Sequence, residues 1–170
     1  MPNTDASQAH ALALAPDELA AMRLAIAASR EALDAGDGPY GATLVSAAGE
    51  VLQVARNTKV TSGDFTAHAE MVAVREVAAR LGADAVKGST VFASGEPCAM
   101  CAGAMFWAGV KRVVYGATNP QIAALLGGQL LPIRCADVLA GASPAMQVDG
   151  PVLGDEAIAV FRDAVARRTS

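Results

Sequence analysis

The order of elements in this chain predicts an α/β fold in which a mixed sheet carries helices on both faces. Three observations predict it. Apolar residues recur at helical spacing in some windows and alternate at strand spacing in others. Two short β-prone runs are joined by Ala47-Ala48-Gly49-Glu50, which reads as a hairpin turn. From Ala67 onward the pattern runs helix, strand, helix, strand, and such crossovers require a covered sheet whose third and later strands are parallel to each other.

In chain order, Leu19, Met22, Leu24, Ile26 and Leu33 are spaced for an amphipathic helix from Asp17 to about Ala35, ended by Gly36. Tyr40 to Ser46 and Val51 to Ala55 form the two antiparallel strands. Thr66 is expected to cap a helix from about Ala67 to Leu81, with Met71, Val74, Val77, Ala78 and Leu81 as its apolar stripe and Gly82 as its stop. Ser89 to Ser94 is a strand, Cys98 to Ala108 a helix and Lys111 to Gly116 a strand. Between Asn119 and Gly154 the pattern is weakest, with a helix at Pro120 to Leu126 and a strand at Ala145 to Val148. A helix from about Asp155 to Arg168 closes the chain.

At 170 residues, without internal repeat or linker, one domain from residue 16 to 170 is expected behind a loose tail at 1–15 that includes a solvated His10. Hydrophobic residues are 53% of the chain and aromatics 4%, so the core is built from Ala, Val and Leu. No apolar run reaches the roughly 18 residues that a membrane span needs. The first fifteen residues hold Asp5 and no Lys or Arg, unlike an export signal, which points to the cytoplasm. Three cysteines without such a signal argue against disulfides and for metal or redox chemistry. The net charge of -4 and pI near 5.1 offer no broad basic face to a polyanion.

Cys98 and Cys101 are three apart at a helix start, so both sulfurs point to one side. Pro97 suits the first helical turn, and the partial positive charge of the helix N-terminus favours thiolates. His68 opens the preceding helix, and the intervening strand returns both helix starts to one end of the sheet. Two thiolates and a neutral imidazole balance Zn²⁺ and leave one tetrahedral position open, the arrangement of catalytic rather than structural zinc. Glu70, two residues after His68, points elsewhere on the helix start and is expected to move protons rather than bind metal.

The pattern His68-Ala69-Glu70 followed by Pro97-Cys98-Ala99-Met100-Cys101 is the signature of zinc nucleobase deaminases. Over roughly Leu24 to Gly116 the chain resembles the cytidine-deaminase-like superfamily. The stretches Gly38-Pro39-Tyr40-Gly41-Ala42, Thr66-Ala67-His68-Ala69-Glu70 and Glu96-Pro97-Cys98-Ala99-Met100-Cys101-Ala102-Gly103-Ala104 are similar to bacterial guanine deaminases and tRNA adenosine deaminases. The resemblance implies a three-layer α/β/α sandwich with a central five-stranded mixed sheet, one zinc ion per subunit held by His68, Cys98 and Cys101, catalysis by Glu70, and a homodimer. It also implies a substrate-contacting set of Asn57, Ala69 and Trp107. Asn57 offers donor and acceptor to a base edge, or else is a turn residue. Trp107 matches an aromatic position of guanine deaminases and would stack on a flat ring, or else fills the core.

A second acid used by guanine deaminases is missing: no Asp or Glu occurs between Cys101 and Asp137, and Gln129 stands in that region. Asp155 and Glu156 would supply one if the last helix folded over the site. Cys135 reads as a small buried hydrophobe, its other reading being a fourth, site-closing ligand. The function expected is hydrolysis of the exocyclic amine of a free nucleobase or nucleoside, guanine or a related aminated heterocycle. A tRNA wobble adenosine deaminase and a non-catalytic structural zinc module are the alternatives.

Overall fold

The computed structural model describes residues 14–127 and 131–168. The tail at 1–13, His10 and Gln129 lie outside them. The elements are helix α1 (Pro16–Asp34), strands β1 (Gly41–Val45) and β2 (Val51–Arg56), helices α2 (Lys59–Ser62) and α3 (Ala69–Leu81), strand β3 (Thr90–Gly95), helix α4 (Ala99–Ala108), strand β4 (Arg112–Ala117), helices α5 (Asn119–Leu126) and α6 (Cys135–Leu139), strand β5 (Gln147–Asp149) and helix α7 (Gly154–Arg168).

The five strands lie in the order β2-β1-β3-β4-β5. Strand β1 is antiparallel to both β2 and β3, whereas β3, β4 and β5 are parallel, as the crossover order requires. Alternation along the central strands divides the core between the two faces. Val91 and Val113 pack with Val72, Ala73 and Val77 of α3 and Met105 of α4. Their neighbours Phe92 and Val114 point the other way, onto Ala21, Met22 and Ala25 of α1. Near the end of α7, Phe161 and Ile158 form a third cluster with Ile122 of α5. The result is the three-layer α/β/α sandwich with a five-stranded mixed sheet.

The buried faces of the helices differ from the expected stripes. Leu24 and Leu81 are exposed, and α1 turns Ala21, Met22, Ala25, Ala28 and Ala32 to the sheet instead. Small residues win this face because α1 lies very close to β1: a Cβ on Gly41 would sit 2.1 Å from the Ala25 carbonyl oxygen. Helices α1 and α7 run parallel, and three ion pairs, Arg23–Glu156, Arg30–Asp163 and Asp34–Arg167, each join residues 133 apart in sequence. No helix among the described residues is long and apolar enough to cross a membrane.

Two helix starts are corrected. The backbone of His68 is the extended N-cap of α3, and Thr66 instead gives both its N–H and its hydroxyl to Asp64 Oδ1 at 2.8 and 2.7 Å. Cys98 is the extended N-cap of α4, so Pro97 stands just ahead of the helix rather than in its first turn. The short helices α2 and α6 were not expected, because four or five residues are too few to show a period.

Candidate metal centre and active site

The C-terminal end of β3 delivers the chain through Glu96 and Pro97 to Cys98. The start of α3 meets it there, and β1 begins alongside, with Ala42 opposite Ala93. His68 Nδ1 lies 3.7 Å from Cys98 Sγ and 3.6 Å from Cys101 Sγ, and the two sulfurs are 3.6 Å apart. These three ligand atoms form the group among the described residues whose spacing suits a metal ion. Tetrahedral zinc with the usual bond lengths separates two sulfurs by about 3.8 Å and a sulfur from a nitrogen by about 3.5 Å. The near-equilateral triangle therefore fits zinc, and among the described residues no fourth His, Cys, Asp or Glu joins the group.

The electrostatics favour a cation at this triangle. The Cys98 thiol is pushed down to about 4, chiefly by its side-chain hydrogen bond with Cys101 and against the effect of burial, with the His68 ring and the Cys101 backbone N–H also contributing. The same hydrogen bond with Cys98, together with deep burial, holds Cys101 well above the usual thiol range. His68 is raised by its hydrogen bond with Cys98. A dication placed among these groups takes over the proton's role and converts both thiols to thiolates.

Glu70, the second residue of α3, is buried with its Oε2 3.6 Å from Cys101 Sγ. Burial pushes its carboxyl up to about 7, with the Cys98 thiolate adding to that rise and its own backbone N–H and His68 opposing it. No Lys or Arg pairs with it among the described ion pairs. Asn57 is buried where β2 ends; its Oδ1 accepts from the Lys59 N–H at 2.9 Å, so it does make the turn that its residue type suggested. That leaves the Nδ2 amide as the group Asn57 can present. Ala69 is fully buried, and as the first residue of α3 its N–H has no acceptor within the helix.

Trp107 is 85% exposed, edge-on to Phe106 at 5.2 Å, and so is not a core residue. Six residues of helix place it about 9 Å along the axis from Cys101 and about 120° around it, turned away from the metal triangle. Cys135 is buried outside the triangle, its thiol pushed up to about 12 by burial and the neighbouring Glu96. It belongs to the core and closes no coordination position. Glu156 pairs with Arg23 on α1 and Asp155 is exposed, so α7 brings neither acid over the site.

Two supporting acids escaped notice in the sequence. Asp37, whose side chain is 0% exposed, accepts from the Val60 and Thr61 N–H groups, the Thr61 hydroxyl and Arg56, and so holds the loop that carries Asn57. Burial works against its charge, but the Thr61, Val60 and Arg56 donors outweigh it and keep the carboxyl below its ordinary value. Glu96, beside Cys98, likewise gathers two backbone N–H donors and a guanidinium. An acid within a glycine turn, and another directly before Pro97-Cys98, were the available signals.

The model of the cytidine and deoxycytidylate deaminase zinc-binding region matches residues 16–117. A probable cytosine deaminase of Schizosaccharomyces pombe is 39% identical over 149 residues, which is 85% of this chain and 90% of that protein. A tRNA-specific adenosine deaminase of Bacillus subtilis is 39% identical over 100 residues, 59% of this chain and 62% of that one. Among solved structures, the guanine deaminase from Nitrosomonas europaea superposes with a TM-score of 0.73 at 25% identity, covering 91% of this chain and 86% of its own.

Proposed function

From the premise that the chain belongs to the cytidine and deoxycytidylate deaminase zinc-binding family and is a zinc-dependent hydrolytic deaminase, we propose that it removes the exocyclic amine of a free nucleobase or nucleoside, guanine or a related aminated heterocycle. The observation that carries the reading is Glu70: a buried carboxylate without a cationic partner, held near neutrality beside the metal triangle. Such a group accepts and returns protons at physiological pH.

His68, Cys98 and Cys101 would hold the zinc ion, which supplies Lewis acidity to activate a water molecule. Glu70 takes a proton from that water and passes it to a ring nitrogen of the substrate. The new C–O bond forms at the carbon that bears the amine. Glu70 then takes the remaining hydroxyl proton and gives it to the departing nitrogen. The C–N bond breaks, and the products are the ring carbonyl and ammonia. Asn57 Nδ2 and the Ala69 N–H orient the ring, each as a donor that the fold leaves to be used. The S. pombe relative, matched over most of both chains, supports a free-base substrate.

Glu70 is the one acid that the described residues set against the triangle, since Asp155 and Glu156 face elsewhere. A substrate whose recognition needs a second carboxylate is disfavoured, so other aminated rings stand beside guanine. The B. subtilis relative favours adenosine in tRNA as the second reading. An ammonia-release screen over purines, pyrimidines, nucleosides, pterins and triazines, run beside inosine detection in a stem-loop RNA, separates the two. Ammonia from a free base or nucleoside supports the first; inosine in RNA alone replaces it.

Residues 16–170 act as one deaminase domain in the cytoplasm, and the functional unit is a homodimer. Trp107 then serves as an interface residue or as a contact with substrate across the interface, which its exposure supports. Light scattering that finds an active monomer removes the dimer.

A further inference from the structure

Glu96 stands between β3 and the first zinc-ligating cysteine with its side chain 1% exposed. Its carboxylate is saturated by protein donors. The Asn119 N–H reaches Oε2 at 2.9 Å, the Cys135 N–H reaches Oε1 at 3.0 Å, and Arg134 Nε lies 2.8 Å from both oxygens. Its own N–H donates to the Ala117 carbonyl at 2.8 Å. Asn119 and Cys135 are the first residues of α5 and α6, so one buried charge receives the N-terminal donors of two helices and a guanidinium.

The segments gathered here are distant in sequence, up to 39 residues apart. They are the loop that carries Cys98, the end of β4, and the starts of two short helices from the region whose pattern is least regular. Arg134 is half-exposed and also reaches Tyr115 Oη at 3.4 Å. Removing the carboxylate would leave two backbone donors without their acceptor, at the point where Cys98 is aimed. These bonds do not touch a metal ligand directly; Glu96 acts on Cys98 through Pro97, the one residue between them.

We propose that Glu96 is a positioning residue: its carboxylate locks the Cys98 loop to the starts of α5 and α6, and both zinc retention and substrate affinity depend on that lock. The proposal rests on the zinc site and the deaminase reading above. In Glu96→Gln the size is kept, but the amide turns an NH₂ group toward an N–H donor, so one backbone partner is lost. Arg134→Met removes only the guanidinium and leaves both backbone bonds in place.

The test follows zinc release from the loaded protein to excess 4-(2-pyridylazo)resorcinol, with KM and kcat measured on the substrate identified by the screen. Glu96→Gln is expected to release zinc about tenfold faster or more and to raise KM by a larger factor than it lowers kcat. Arg134→Met is expected to move both in the same direction, less far. Met22→Ala, a core truncation on the opposite face of the sheet, controls for general destabilisation and is expected to release zinc at the wild-type rate. A wild-type release rate and KM in Glu96→Gln overturn the proposal, as does equally fast release from Met22→Ala. If Glu96→Gln does not fold, Arg134→Met decides by the same criterion. Wild-type protein that retains no zinc overturns the metal assignment and this proposal together, whereas wild type that retains zinc beside an unaltered Glu96→Gln overturns this proposal alone.

Discussion

Two buried glutamates each lie two residues from a metal-ligating residue, and their surroundings are opposite. Glu70 meets one thiol, at 3.6 Å, and burial lifts its carboxyl to about 7. Glu96 meets two backbone N–H groups and a guanidinium, all within 3.0 Å. Depth is similar in the two cases. The donors separate them: burial lifts the carboxyl that is short of donors, while the carboxylate saturated with donors ties separate segments together. Asp37 resembles Glu96 in its donors, since two backbone N–H groups, the Thr61 hydroxyl and Arg56 meet its carboxylate.

The largest effect expected from this contrast is kinetic. Glu70→Gln should lower ammonia release by roughly 10³-fold or more while zinc content, measured by atomic emission, stays at the wild-type level. Turnover close to wild type would remove Glu70 from the mechanism. Zinc withdrawal by a chelator should abolish turnover and its return restore it; activity that persists without metal would break the site assignment.

Next in size is a stability contrast of opposite sign. Asp37→Asn should destabilise the fold by about 2–4 kcal/mol in urea unfolding at pH 7, because it leaves Arg56 and two backbone N–H groups facing a poorer acceptor. Asp37 has a depressed pKa in the folded state, so its contribution is full above its unfolded value of about 3.8 and is lost as pH falls through the lower folded value. The wild-type advantage over Asp37→Asn should therefore shrink only in strong acid.

Glu70 has a raised pKa in the folded state. In the metal-free protein the native state binds the extra proton, and stability falls as pH rises from about 4.5 through about 7. Glu70→Gln should then stabilise the metal-free chain at pH 8, on the order of 1–3 kcal/mol, and change little at pH 4. A destabilised Glu70→Gln at pH 8 would erase the contrast between the two kinds of acid.

The smallest effect belongs to the ladder between α1 and α7. Its side chains are about half exposed, and such pairs contribute roughly 0–1 kcal/mol each and weaken in salt. Arg30→Ala should shift the urea midpoint only slightly and leave turnover unchanged. A loss as large as that of Asp37→Asn would mean that exposure does not separate brackets from decoration.

Legibility in the sequence followed the same division. His68, Cys98 and Cys101 were readable because metal ligation restricts residue type and spacing within short stretches. The strands from Thr90 to Gly95 and from Arg112 to Ala117 were readable within a residue of their ends. Helix α6 was hidden by its length. The inward stripes of α1 and α3 were misread because alanines, chosen for close approach to the sheet, carry less apolar weight than the exposed Leu24 and Leu81. Trp107 looked like core or stacking residue by type, and its position on α4 sends it to the surface.

The amino-acid sequence alone determined the metal group of this protein and its setting: three ligands suited to zinc, an acid two residues after the first of them, and the order of helices and strands that brings them to one end of the sheet. Those features are local, since each needs only a few neighbouring residues of restricted type. The tertiary structure alone decided which other acids matter. Asp37 is joined to donors more than twenty residues away and Glu96 to donors up to 39 away, and no spacing rule links partners brought together only by the packing of separate elements.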